Sequence, residues 1–230
     1  SKSETPFHLK DEFLFWGVNN LFLTMPGPWT RWFEIHQITC EGGKWLRRGK
    51  EEFRGQAVPD YLTQLGKLPF PVYCQQPNPF MPNAVAFPFK QIIDRFGTYF
   101  TNTISWQIAY AILEDFKEIR IYGVDMAVDS EYFWQRPSCE YFLGLAVGMG
   151  IKIWLPDTCD LLKTRFMYGY EEAKELPFRA KIESMKKSMQ KRANQAQAQM
   201  AHHEKQVQQY IGAMSAVNEI DKIWKNVTGG

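Results

Sequence analysis

Short apolar runs punctuate the first three quarters of the chain, and each closes on a polar residue. Phe13-Leu-Phe-Trp-Gly-Val18 ends in Asn19-Asn20, Trp32-Phe-Glu-Ile35 in His36, and Pro71-Val-Tyr-Cys74 in Gln75-Gln76. Glu118-Ile-Arg-Ile-Tyr-Gly-Val124 ends in Asp125, and Ile151-Lys-Ile-Trp-Leu155 is closed by Pro156-Asp157. Runs bounded in this way predict strands of a largely parallel sheet. Helical stretches lie between them. One runs over 103–116 behind Thr101-Asn102-Thr103, and another over 137–148 with proline in its first turn and glycine at its end. Strands alternating with helices predict an α/β domain over residues 1–176, with a mostly parallel sheet and helices on both faces.

The texture changes near Pro177. Arg179 to Asn226 contains no proline and one glycine, Gly212, and is rich in the helix formers Lys, Gln, Ala, Met and Glu. Ile182, Met185, Met189, Ala193, Ala196, Met200, His203, Val207, Tyr210, Met214, Val217 and Trp224 follow a mostly three-four spacing that traces one helical face. Ala, Met and His stand where a strong coiled coil has Leu and Ile. Residues 177–230 are therefore expected to form an α-helical, coiled-coil-like extension, either one helix of about 70 Å or an antiparallel pair. The expected role of 179–226 is self-association or docking of a partner helix; the plainer alternative is a helix folded back on its own domain.

Composition narrows the function classes. With 27 Lys+Arg against 25 Asp+Glu and a net charge of +2, there is no global field to attract nucleic acid or an anionic membrane. Apolar residues at 45% and aromatics at 15% argue against disorder. No apolar run reaches the roughly 18–20 residues that span a bilayer. The opening Ser-Lys-Ser-Glu-Thr-Pro has no signal-peptide core. The expectation is a soluble, cytoplasmic protein. Cys40, Cys74, Cys139 and Cys159 form no CxxC pair, and His202 and His203 are adjacent rather than one turn apart. No transition-metal site built from protein ligands alone is expected.

Ligands of open parallel sheets bind beyond the carboxyl ends of the strands. Asn19, His36, Gln75, Asp125 and Asp157 would share that rim, although Asn and Asp after a strand are also ordinary turn formers. Thr101-Asn102-Thr103 opens a helix, where hydroxyls and free N–H groups suit a phosphate, or simply cap the helix. Arg136 could neutralise a diphosphate, or pair with Glu140 four residues on. A carboxylate nearby could serve as general base or hold a metal ion through oxygen.

Three segments together resemble the Rossmann-like family of bacterial lipooligosaccharide sialyltransferases and archaeal-type 6-hydroxymethylpterin diphosphokinases. Phe15-Trp-Gly-Val-Asn19 looks like that group's second strand, which ends in a nucleotide-contacting Asn. Thr101-Asn-Thr-Ile-Ser-Trp-Gln with Phe116-Lys-Glu-Ile-Arg-Ile-Tyr-Gly-Val-Asp125 resembles its Thr/Ser-rich helix start and Gly-hydrophobic-Asp strand end. Ile151-Lys-Ile-Trp-Leu-Pro-Asp-Thr-Cys-Asp-Leu-Leu162 resembles its closing strand. Uncharacterised phage-encoded relatives carry Trp-Gly-x-Asn, Arg-Trp-Phe-Glu-Ile-His and Gln-Arg-Pro-x-x-Glu-Tyr, all present here. If phage-encoded, the protein would work in the host cytoplasm.

The resemblance implies a nucleotide-binding protein, with a transferase that uses a nucleotide or nucleotide-sugar donor, with or without Mg²⁺, as the enzymatic form. Asn19 would meet ribose or base. Ser1, Ser3, Thr101, Asn102 and Thr103 would meet the phosphates. Asp125 would hold a metal ion or orient the acceptor, and Arg136 would offset leaving-group charge. Two departures qualify this. The family's catalytic His after the Asp strand has no counterpart between Asp125 and Ile151, which leaves His36 as the candidate base. The family's first strand and its Gly-x-Gly-Pro-Ser loop would precede Ser1, so that strand is expected from outside the chain, from an upstream segment or a partner. The rival expectations are an inert phage assembly scaffold that oligomerises through its helices, and a module that sequesters a nucleotide.

Overall fold

The computed structural model describes residues 4–124, 126, 131–164, 168–169 and 175–228, the side chains of 131–132, 175–181 and 225–228 aside. The chain divides into two compact units, Ser1–Lys163 and Thr164–Gly230. The first is mixed α/β. Its strands are β1 (Phe15–Val18), β2 (Trp29–Glu34), β3 (Ile38–Glu41), β4 (Lys44–Arg47), β5 (Glu52–Phe53) and β6 (Gln56–Ala57). They are followed by α1 (Val58–Gly66), β7 (Val72–Cys74), β8 (Ala84–Ala86), α2 (Phe89–Phe96) and α3 (Thr103–Leu113). The unit closes with β9 (Glu118–Arg120), α4 (Arg136–Gly148) and β10 (Lys152–Trp154). The second unit carries α5 (Glu175–Thr228).

Four strands form a parallel sheet in the order β1-β2-β7-β8, and β9 pairs in parallel with β10 in a separate sheet. The antiparallel hairpins β3–β4 and β5–β6 hang between β2 and α1. Successive side chains of a strand point to opposite faces, and β2 uses this to feed two cores. Trp32 packs with Val58, Tyr61, Leu62 and Leu65 of α1, whereas Phe33 packs with Ile108, Ala109 and Ile112 of α3 and Phe142 of α4. Trp32 and Phe33 are both fully buried.

Each helix end has a local cause. Pro59 and Pro137 occupy the first turns of α1 and α4, where the missing N–H costs nothing. Asn102 caps α3 by accepting from the Ser105 N–H at 2.9 Å. α3 stops at Leu113, short of the expected Phe116, because Asp115 turns left-handed at φ 60°. β9 likewise ends at Arg120 rather than Val124, ahead of Gly123 at φ 73°.

α5 runs as one helix of 54 residues, about 80 Å at 1.5 Å per residue, so the antiparallel pair is not what forms. Its start at Glu175 lies close to the change of texture at Pro177. No helix among the described residues is long and apolar enough to cross a membrane.

Candidate functional site

A cavity of about 1400 Å³ lies within the first unit, bordered by β1, β9 and the amino end of α3. Its inner wall is apolar, with Phe15, Trp16, Val18, Ile119 and Ile121 among the lining residues. Its polar lining includes Asn19, His36, Arg48, Arg54, Thr101, Asn102, Thr103 and Gln135. Five of the site residues expected from sequence, Asn19, His36, Thr101, Asn102 and Thr103, thus come together around one space.

Asn19 follows β1 in the left-handed region, φ 50°, which Asn tolerates better than most residues. Its N–H donates to the Phe33 carbonyl at 2.9 Å and its own carbonyl accepts from the Trp32 indole at 2.8 Å. The backbone is therefore pinned. Its side-chain Oδ1 is shielded from solvent and accepts no hydrogen bond. Such a buried, unpaired acceptor is costly unless a ligand satisfies it.

His36 is held from behind by a buried ion network. Glu34 is fully buried at the end of β2, and Arg47 reaches it with Nε at 3.2 Å and Nη2 at 3.0 and 3.2 Å. The Tyr61 hydroxyl donates to the other carboxylate oxygen at 2.5 Å. His36 Nδ1 lies 2.6 Å from Glu34 Oε1 and 2.7 Å from Arg47 Nη2. Nδ1 donates to the Glu34 carboxylate when it carries a proton and accepts from the Arg47 guanidinium when it does not. Burial by itself would raise the Glu34 pKa, but the His36 hydrogen bond, the Arg47 charge and the Tyr61 hydroxyl together hold it below the usual 4.5. The Tyr61 phenol is pushed far up, by burial first and then by the Glu34 charge.

The helix start has a partly structural use. Thr101 Oγ1 meets Ser138 Oγ at 2.6 Å, and Asn102 Nδ2 donates to the Gln135 carbonyl at 2.8 Å, tying α3 to α4. What remains for a ligand is the unpaired backbone N–H groups of the first turn and the positive end of the helix dipole. Arg48 and Arg54 add two cations to the lining.

Other expected residues sit elsewhere. Arg136 donates to Glu140 at 2.8 Å and to the Lys163 carbonyl at 3.0 Å, which realises the helix-start pairing. Gln75 donates to the Ile35 carbonyl at 2.9 Å, and the Asp157 carbonyl accepts from Lys163 at 2.6 Å. Ser1, Ser3 and Asp125 lie outside the described residues. Among the described residues no group of three or more His, Cys, Asp or Glu side chains is placed to hold a metal ion. Burial pushes the Cys74 thiol up to about 11 and the Cys139 thiol to about 12, which suits inert core residues rather than nucleophiles.

Sequence reasoning missed Glu34, Arg47, Arg48 and Arg54. A glutamate inside the apolar run Trp32-Phe-Glu-Ile35 was the available signal, since a charge in a buried strand needs a partner. Comparison with protein-family models, curated proteins and solved structures finds no match.

Proposed function

We propose that the polar part of the cavity is the nucleotide site of a Rossmann-like transferase that uses a nucleotide-activated donor. The observation that carries this reading is convergence. An unpaired Asn19 acceptor, a His36 backed by a buried carboxylate, the α3 amino end and two arginines line one space beyond parallel strands. The resemblance to the sialyltransferase and diphosphokinase family supports the same reading.

In this reading Asn19 Oδ1 accepts from ribose or base. The phosphates meet the first-turn N–H groups of α3 together with Arg48 and Arg54, which take the charge-offsetting role first given to Arg136. His36 Nε2 removes the proton of the acceptor hydroxyl as its oxygen attacks the donor, and Glu34 steadies the imidazolium that forms. The bond from donor to nucleoside phosphate breaks, and the arginines stabilise the leaving anion. Asp125 keeps its role toward Mg²⁺ or the acceptor.

The test is a thermal-shift panel of nucleoside mono-, di- and triphosphates and nucleotide sugars, with and without Mg²⁺. The panel is run on wild type and on the Arg48→Ala/Arg54→Ala double variant. A ligand at 100 times its Kd stabilises by about 2.7 kcal/mol, roughly 5–10 °C for a chain of this size. A base-selective shift that the double variant loses is the expected result. No shift with any nucleotide would overturn the reading.

A second reading, the scaffold, is favoured by α5. Met189, Met200, Val207, Tyr210, Met214, Val217 and Trp224 are all more than half exposed along its three-four face, an arrangement that a second helix would bury. Light scattering should give a multiple of the monomer mass, and Tyr210→Glu/Met214→Glu should reduce it to one. A wild type that is monomeric at all concentrations would refute self-association.

A further inference from the structure

Two charged residues in the apolar stripe of α5 carry directional information that the stripe alone lacks. From Met200 onward the stripe keeps an unbroken heptad. Met200, Val207, Met214 and Asp221 occupy one core position, and His203, Tyr210, Val217 and Trp224 the other. The run covers about three and a half heptads, a length that sustains a coiled coil. All of these side chains are exposed on α5. At about 100° per residue, His203 and Asp221 both fall near the middle of the stripe, not at its margin. A helix packed on this face would bury both, and a buried charge needs a partner.

A parallel, in-register pair of copies would set His203 against His203 and Asp221 against Asp221. It would also bring Lys186, Lys187, Lys191 and Arg192 of both copies side by side. Over 182–199 only Glu183 offsets those cations. Reversing one helix removes both conflicts, because each layer then pairs one core position with the other.

One antiparallel register sets His203 opposite the copy's Asp221, and Asp221 opposite its His203. The imidazole can donate to that carboxylate. His203 Nδ1 lies 3.2 Å from Gln206 Oε1 of its own helix, which leaves the other ring nitrogen for the copy. The same register places Val207 against Val217, Met200 against Trp224 and Tyr210 against Met214, with the two-fold axis level with Gly212. The last two layers are thioether–aromatic contacts, which are favourable. A slip of one heptad sets Asp221 opposite Ala196 in one direction and Tyr210 in the other, and takes both His–Asp pairs apart. The basic stretches project from opposite ends, with the two Arg192 residues about 60 Å apart along the axis.

We propose that two copies of this chain associate through the carboxyl-terminal half of α5 as an antiparallel coiled coil, in the register that pairs His203 with Asp221. The proposal rests on the self-association reading of α5 and gives it a partner, a direction and a register. The apolar layers supply affinity, and the charged layers exclude the parallel and slipped alternatives.

Spin-label distances test it. Ala198→Cys and Gln208→Cys are made separately on a Cys40→Ser background, because Cys40 is the exposed cysteine and Cys74, Cys139 and Cys159 are buried. Both labelled positions face away from the stripe. The expected separation along the helix axis is about 42 Å for the labels at 198 and about 12 Å for those at 208. Short and similar distances at both positions would overturn the proposal in favour of a parallel pair. Distances displaced together by about 10 Å would overturn the His203–Asp221 register. Light scattering on the same samples separates these failures from that of the underlying reading. Twice the monomer mass is expected, and a monomer at the labelling concentration would refute self-association and the proposal with it.

Discussion

Glu34→Gln is expected to destabilise the protein by about 3–5 kcal/mol, the cost of breaking a buried ion pair by removing one partner. The carboxylate is fully buried and takes hydrogen bonds from Arg47, Tyr61 and His36. Glutamine fills the same volume but offers one acceptor oxygen and an NH₂ group. That NH₂ must face either a guanidinium or a phenol that wants to donate. Arg47, itself 7% exposed, is then left as an uncompensated charge over the ring of Phe53, 3.9 Å from its centroid. Urea unfolding with an unchanged m-value is the measurement, and a loss below about 1 kcal/mol would show that the network is not coupled as its geometry indicates. In a double-mutant cycle with Arg47→Met, the double variant should lose clearly less than the sum of the singles.

The same carboxylate sets an acid limit. Its folded-state pKa lies below the unfolded value, so the folded state binds fewer protons. Its contribution is therefore fully present above the unfolded pKa, near 4.5, and is lost as pH falls through the lower folded value. Wild type should lose stability over that acid range more steeply than Glu34→Gln, in which this titration is gone.

Much of the sheet was legible because its strands are short apolar runs ending in polar turns, and the helices α3 and α4 carried cap and proline signals. The two hairpins were not anticipated. Their strands are too short and only partly buried, so Ile38, Trp45 and Phe53 reach the α1 core without an apolar alternation long enough to read, and the turn glycines Gly42, Gly43 and Gly55, all at positive φ, are the clearer mark. The hairpins matter, because β4 delivers Arg47 to Glu34 and the adjoining turns deliver Arg48 and Arg54 to the cavity. A pairing between residues 34 and 47 through a non-adjacent element has no periodic signature. Asn19 and His36 were legible from position alone, since a polar residue after a parallel strand falls at the ligand end of the sheet. Arg136 shows the converse. Its four-residue spacing to Glu140 described a local pair, and the local pair is what forms.

Gly17→Ala is expected to cost about 3 kcal/mol or more and to weaken whatever the Asn19 site binds. A Cβ at Gly17 would stand 2.0, 2.4 and 2.5 Å from Cζ3, Cε3 and Cη2 of Trp32, inside any real contact. Trp32 has no room to retreat. It is fully buried, with Trp29, Phe22 and Phe70 around it at ring-centroid distances of 5.3, 5.7 and 6.1 Å. Overpacking of this kind costs roughly 1–3 kcal/mol and sometimes more. Moving the ring also breaks the indole bond to the Asn19 carbonyl, at 2.8 Å, worth about another 1 kcal/mol. That second loss reaches the site, because the bond helps to hold Asn19 in its left-handed turn. Urea unfolding and, on the proposed nucleotide reading, nucleotide titration should therefore move together in this variant. Trimming the obstruction with Trp32→Phe should make the double variant lose less than the sum of the two singles, since the carbons that the new methyl strikes belong to the six-membered ring of the indole. Additive losses would mean that β1 shifts as a whole instead, and a cost below about 1 kcal/mol would show that β1 does not lie against Trp32 in solution.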